Sequence, residues 1–149
     1  EVYAKKSFQE LFKSALVEKA KMLTYNTCSS IIAWNKGDGQ YEVQKMPAQV
    51  QFSSLNAILP MDINMDGKMD MILGGNQFGF LPQFGRLDAN YGLVLVNKGK
   101  RKFEVLEDKQ SGLAITGEVR DIVSLPTKQF NSVLFIRNDD YPVRVKLNK

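Results

Sequence analysis

Asp62-Ile63-Asn64-Met65-Asp66-Gly67-Lys68-Met69-Asp70 alternates oxygen-bearing side chains, follows them with a glycine and closes on a third aspartate. A hard cation such as Ca²⁺ takes six to eight oxygen ligands at about 2.3–2.6 Å. Asp62, Asn64 and Asp66 stand at loop positions 1, 3 and 5, where side chains can curl onto one centre. Gly67 at position 6 permits the sharp turn, the Lys68 carbonyl can face inward at position 7, and Asp70 closes the loop at position 9. Position 12 is Leu73 instead of a bidentate Glu, which excludes an EF-hand. The run from Met69 to Leu73 reads as a buried strand leading out of the loop, and Asn56 to Met61 leads into it. Asp and Asn are also common in plain turns. Four spaced oxygen residues plus the glycine favour a Ca²⁺ held by Asp62, Asn64, Asp66, the Lys68 carbonyl and Asp70. Without an ion the three carboxylates would repel one another.

The rest of the chain sets limits on the chemistry. With 149 residues, it has the size of one domain able to bury a core. No run of about 18 apolar residues occurs, so no membrane span is expected. With no histidine, His-based acid–base catalysis, Ser-His triads and most zinc sites are excluded. A net charge of +4 is mild, and the cluster Lys98-Gly99-Lys100-Arg101-Lys102 reads as a solvated hairpin tip. It has no aromatic stacking platform beside it, so nucleic acid is not an expected partner. The lone Cys28 is expected as a small buried side chain in a strand. The opening residues are not a signal peptide and include no initiator Met, which suggests a segment of something longer.

Residues 7–23 are predicted as an amphipathic helix, with Ser7 and Glu10 as a capping box and Phe8, Leu11, Phe12, Ala15 and Leu16 on one stripe. The helix is expected to pack on its own domain. From Thr27 onward strands and turns take over, with a hairpin turn at Asn35-Lys36-Gly37-Asp38-Gly39. This unit then repeats. Asn35-Lys36-Gly37 recurs 62 residues later as Asn97-Lys98-Gly99, and Tyr41-Glu42-Val43 recurs as Phe103-Glu104-Val105. The same shift carries Asn76 onto Asn138. About four short strands per copy predict propeller-type blades. The expected fold is mainly β. An N-terminal helical segment (1–26) precedes two four-stranded antiparallel blades, one over 27–90 with the calcium loop and one over 91–149 without it. The shift lays Asp62, Asn64, Asp66 and Asp70 over Ser124, Pro126, Lys128 and Ser132, so the second blade is expected to lack the ion.

Between the copies, Asn76 to Gly92 interleaves Phe78, Phe80 and Phe84 with glycines and a proline. Buried, the rings would fill the wedge between blades, which is the favoured reading; exposed, they would offer a platform for sugar or peptide. Arg86 and Asp88 are expected to pair. The tail alternates Val143, Val145 and Leu147 on one face, as a strand does.

These residues resemble the FG-GAP/VCBS-repeat β-propeller proteins, and more narrowly the C-terminal part of ASPIC/UnbV-type repeat proteins of Bacteroidetes. The likeness is carried by Ile58-Leu59-Pro60-Met61 with the loop to Asp70, by Gly75-Asn76, Gly85-Arg86-Leu87-Asp88-Ala89 and Tyr91-Gly92, and by Gly117-Glu118-Val119-Arg120-Asp121-Ile122. The resemblance implies an exported, cell-surface protein whose propeller presents loops for binding and whose calcium is structural. Two blades cannot close a ring, so the partners expected are other blades of a parent chain or a partner protein, with glycan as a further ligand. The implied function is a non-catalytic binding module. Two alternatives remain open. One is part of a larger carbohydrate-active enzyme; the other is a lectin stacking sugars on Trp34, Tyr41, Phe78, Phe80 or Phe84.

Overall fold

The computed structural model describes residues 3–126 and 131–147. Among these residues nine strands form three antiparallel sheets. The first pairs β1 (Ile31–Gly37) with β2 (Gln40–Lys45). The central sheet runs β3 (Leu55–Met61), β4 (Asp70–Gly75), β5 (Leu93–Asn97) and β6 (Phe103–Val105) as a meander. The third sheet pairs β7 (Glu118–Pro126), β8 (Asn131–Asn138) and β9 (Val143–Lys146). The strands therefore divide two, four and three, and not into two sets of four. A division at residue 90 falls between β4 and β5, which are paired through Met71 with Leu95 and Leu73 with Leu93.

Strand period explains the burial. Successive side chains of a strand point to opposite faces, and the central sheet is covered on both. On one face Ile72, Val94 and Val96 join Ala57, Val119, Ile122, Val133 and Phe135 in the larger core, with Leu113 and Ile115 closing it. On the other, Leu73 and Leu95 join Met46 and Val50, with Ile32, Leu55 and Phe103 packed around them. Leu73, Leu95 and Phe135 are fully buried, each contributing roughly 1.5–3 kcal/mol by removal from water. Val50 reaches this core from a 3-10 turn over Ala48–Gln51. The third sheet approaches through β7, which packs on β3 and β4. A Cβ on Gly74 would lie 2.8 Å from Val119 Cγ1, and one on Gly75 would run into the Ser54 carbonyl. Those two glycines are where backbone and sheet come too close for a side chain.

The repeat survives in the pairing. Asn35 opposes Tyr41 in the first sheet as Asn97 opposes Phe103 in the central one. A bulge at Asn56 in β3 recurs at Arg120 in β7, 64 residues on (120 − 56). β8 follows β4 at 62, with Asp70 and Ser132 both fully buried. The second copy thus gains two residues before β7 and loses two in the following hairpin. Met61, paired with Asp70, corresponds to Leu125, paired with Ser132. This corrects the uniform shift: Ser124 lies inside β7 opposite Val133 and is no counterpart of Asp62. Lys128 lies outside the described residues.

The N-terminal stripe does not make one helix. α1 (Phe8–Leu11) and α2 (Ser14–Lys19) are separated by extended backbone at Phe12 and Lys13, and neither has a buried residue. Phe8 is 55% exposed and Leu16 61%. Short helices are marginal unless an apolar face is buried, and this stripe is not. The Ser7 amide and hydroxyl do donate to the Glu10 carboxylate, at 2.7 and 2.8 Å. Cys28 is exposed and precedes β1 instead of lying buried in a strand. At the other end, Val143, Val145 and Leu147 share the face that packs on the larger core, as their alternation predicts.

Candidate functional site

The loop between β3 and β4 is built from its own side chains. Asp62 Oδ1 accepts the Asp66 amide at 3.1 Å and Asp62 Oδ2 accepts the Gly67 amide at 2.8 Å. Asn64 Oδ1 accepts the same Asp66 amide at 3.1 Å, so Asp62 and Asn64 present oxygens to one nitrogen. Asn64 Nδ2 donates to Asp66 Oδ2 at 3.3 Å. Met65 and Gly67 take left-handed backbone, φ 58° and 82°, which folds the chain back over the Asp62 carboxylate. Lys68 donates its amide to Asp66 Oδ1 and its ammonium to Asp66 Oδ2, each at 2.9 Å. The Lys68 side chain, then its amide, hold the Asp66 carboxyl below its ordinary pKa.

Asp70 does something different. It is fully buried. Its Oδ2 accepts the Ile63 amide at 3.0 Å and its Oδ1 the Asn97 amide at 2.8 Å. Asn97 Nδ2 in turn donates to the Met69 carbonyl at 3.1 Å. Asp70 therefore ties the loop to β5. Among the described residues no three Asp, Glu, Cys or His side chains form a metal cluster. Asp62, Asn64 and Asp66 carry oxygens suited to a hard cation on one exposed turn; Asp70, whose two oxygens are engaged by backbone amides as those of Asp62 are, differs in being fully buried and bound to β5. Asn97, which the motif does not announce, is brought in by the β4–β5 register.

At the opposite end of the central sheet, residues 76–92 leave β4 and return to β5. Asn76 (φ 85°) is 1% exposed. Its Nδ2 donates to the Asn90 and Gly117 carbonyls at 2.8 Å each, and its Oδ1 accepts the Ser53 hydroxyl and the Asn90 amide. Asn56, the bulged residue, donates to the Asn76 and Val119 carbonyls. Buried Glu118 accepts from the Phe78 amide, Arg120 and Asn138. One layer further out, Gln77 and Leu87 exchange backbone hydrogen bonds at 2.9 Å.

Beyond that bridge the loop is apolar and open. Phe80 is 45% exposed, Leu81 61% and Phe84 72%. Of the three rings expected to be buried only Phe78 is even half-buried, and its ring carries the Arg86 guanidinium at 4.7 Å. Arg86 and Asp88 pair at 3.0 Å, as their spacing predicts. Phe80, Phe84 and Leu87 line one shallow depression. Trp34 is engaged elsewhere: its indole donates to Gln44, and its ring stacks near Phe103 and carries the Arg101 guanidinium.

No helix among the described residues is long and apolar enough to cross a membrane. No family model, no curated protein and no solved structure matches the chain.

Proposed function

We propose that this chain is a non-catalytic segment of a β-propeller in an exported, cell-surface protein, with a structural Ca²⁺ in the 62–70 loop and outer loops that bind protein or glycan. The observation that carries it is the loop itself: Asp62 and Asn64 direct oxygens at one amide while Asp66 pairs with the Lys68 ammonium. The ion would be held by Asp62, Asn64, Asp66 and the Lys68 carbonyl, with Asp70 bracing the loop from β4. Its contribution is positive charge that offsets apposed carboxylates and fixes the β3–β4 turn. The stacked sheets and the 62-residue repeat support the propeller part of the reading.

A ligand bound only by the folded state stabilises it by mass action, about 2.7 kcal/mol at 100 times its Kd. For a chain this long that raises the melting midpoint by about 5–10 °C. Calorimetry in calcium and in chelator tests it; equal midpoints in the two, with calcium binding absent by titration, refute the metal. A second reading, sugar recognition at the 76–92 loop, is favoured by the exposed rings of Phe80 and Phe84. Glycan-array binding lost in Phe84→Ala at unchanged stability would establish it, and an array without signal would remove it.

A further inference from the structure

Ile31, Ala33, Tyr41 and Val43 precede Leu93, Leu95, Phe103 and Val105 by 62 residues and share their register. The later four are covered: Leu95 is fully buried and the others pack around it. The earlier four are bare, with Ile31 41% exposed and Tyr41 and Val43 each 61%. The strand edges differ in the same way. β5 has β6 on one side and β4 on the other, whereas β1 has β2 alone among the described residues. An open edge flanked by apolar side chains is a template for another strand. The repeat says which strand. β5 receives β4 with Leu73 opposite Leu93 and Met71 opposite Leu95, so β1 is built to receive an equivalent strand opposite Ile31 and Ala33.

We infer that the outer edge of β1 is a docking site for a β-hairpin of the β3–β4 type, supplied by an adjoining repeat of the same polypeptide. The register follows from the repeat alone; the source of the hairpin rests on the propeller reading. Backbone pairing gives the affinity, and the apolar row beside Ile31 and Ala33 selects a strand alternating as Met71-Ile72-Leu73 does.

The test is a chimera in which residues 53–92 stand directly before Ile31 in place of residues 1–30, reproducing the order in which 53–92 precede Leu93. Hydrogen exchange is compared with the intact chain. The β1 amides facing away from β2 should slow by about tenfold or more, within one unfolding transition. A folded chimera whose β1 amides exchange as in the intact chain overturns the inference. Should the chimera not fold, the intact chain titrated with a synthetic peptide of residues 53–76 decides. Amide shifts at Ile31–Ala33 support the inference, and their absence, or shifts confined to β6, overturns it. A chain whose stability ignores calcium but whose β1 edge becomes protected loses the metal reading and keeps this one.

Discussion

Replacing Asp70 and Asp66 separately by alanine distinguishes bracing the sheet from holding an ion. Asp70 accepts two backbone amides from a fully buried position, one from the loop and one from β5. Hydrogen bonds to a charged group are worth about 1.5–3 kcal/mol each, and an orphaned donor bears its own desolvation cost. Both donors are part-buried, so water relieves some of the loss, and Asp70→Ala should cost about 3 kcal/mol. With a urea slope near 2 kcal/mol per M, that moves the midpoint down by about 1.5 M. The loss should be the same in calcium and in chelator. Asp66→Ala should behave in the opposite way, erasing the calcium-dependent part of stability and leaving the chelated protein close to wild type. Urea titrations followed by circular dichroism, with each variant in both conditions, read this directly. If chelation abolishes the effect of Asp70→Ala, Asp70 acts only through the ion and the bracing role is wrong.

Gly75→Ala would drive a methyl into the Ser54 carbonyl; overpacking of this kind costs about 1–3 kcal/mol or more, and a midpoint within error of wild type would contradict the close approach. Asn76→Ala removes four side-chain hydrogen bonds from a buried site and should cost about 2–4 kcal/mol, read by urea unfolding. Glu42 is held below its ordinary pKa, first by its bond to Lys36 and then by Arg101, which reaches it from the β5–β6 turn. That pairing contributes above the ordinary carboxylate pKa and is lost as pH falls through the lowered one; Glu42→Gln should therefore flatten the acid limb of the stability–pH curve. Arg101→Ala removes the guanidinium 5.0 Å from the Trp34 ring and should alter Trp34 emission without unfolding the chain.

Local signals in the chain were legible where the physics is local. Turn chemistry placed the hairpins at Asn35–Gly39 and Lys98–Lys102, and the apolar run from Met69 to Leu73 placed β4. The internal copy was visible too, down to Asn35 and Asn97 facing Tyr41 and Phe103. What periodicity does not reveal is which strands share a sheet, because β4 and β5 are joined across a 17-residue loop (76–92) by non-local pairing. The two compensating length changes around β7 were hidden for a related reason: identical spacing at both ends of a unit masks slippage within it. Met22 and Leu23 continue the apolar stripe of the N-terminal segment at 87% and 78% exposure, since pattern alone supplies no surface to bury against. In the loop, spacing pointed to five ligands, but Asp70 also has a part-buried amide partner 27 residues away that no motif encodes.

The doubly tied neck of the 76–92 segment has a practical consequence. Asn76 with Asn90, then Gln77 with Leu87, seal the base of the excursion from the sheets beneath. Residues 79–85 hang from that seal like a cartridge in a holder. Swapping them for foreign sequence should leave β4, β5 and β7 in their places, which makes this segment the natural insertion point for a grafted loop on the scaffold.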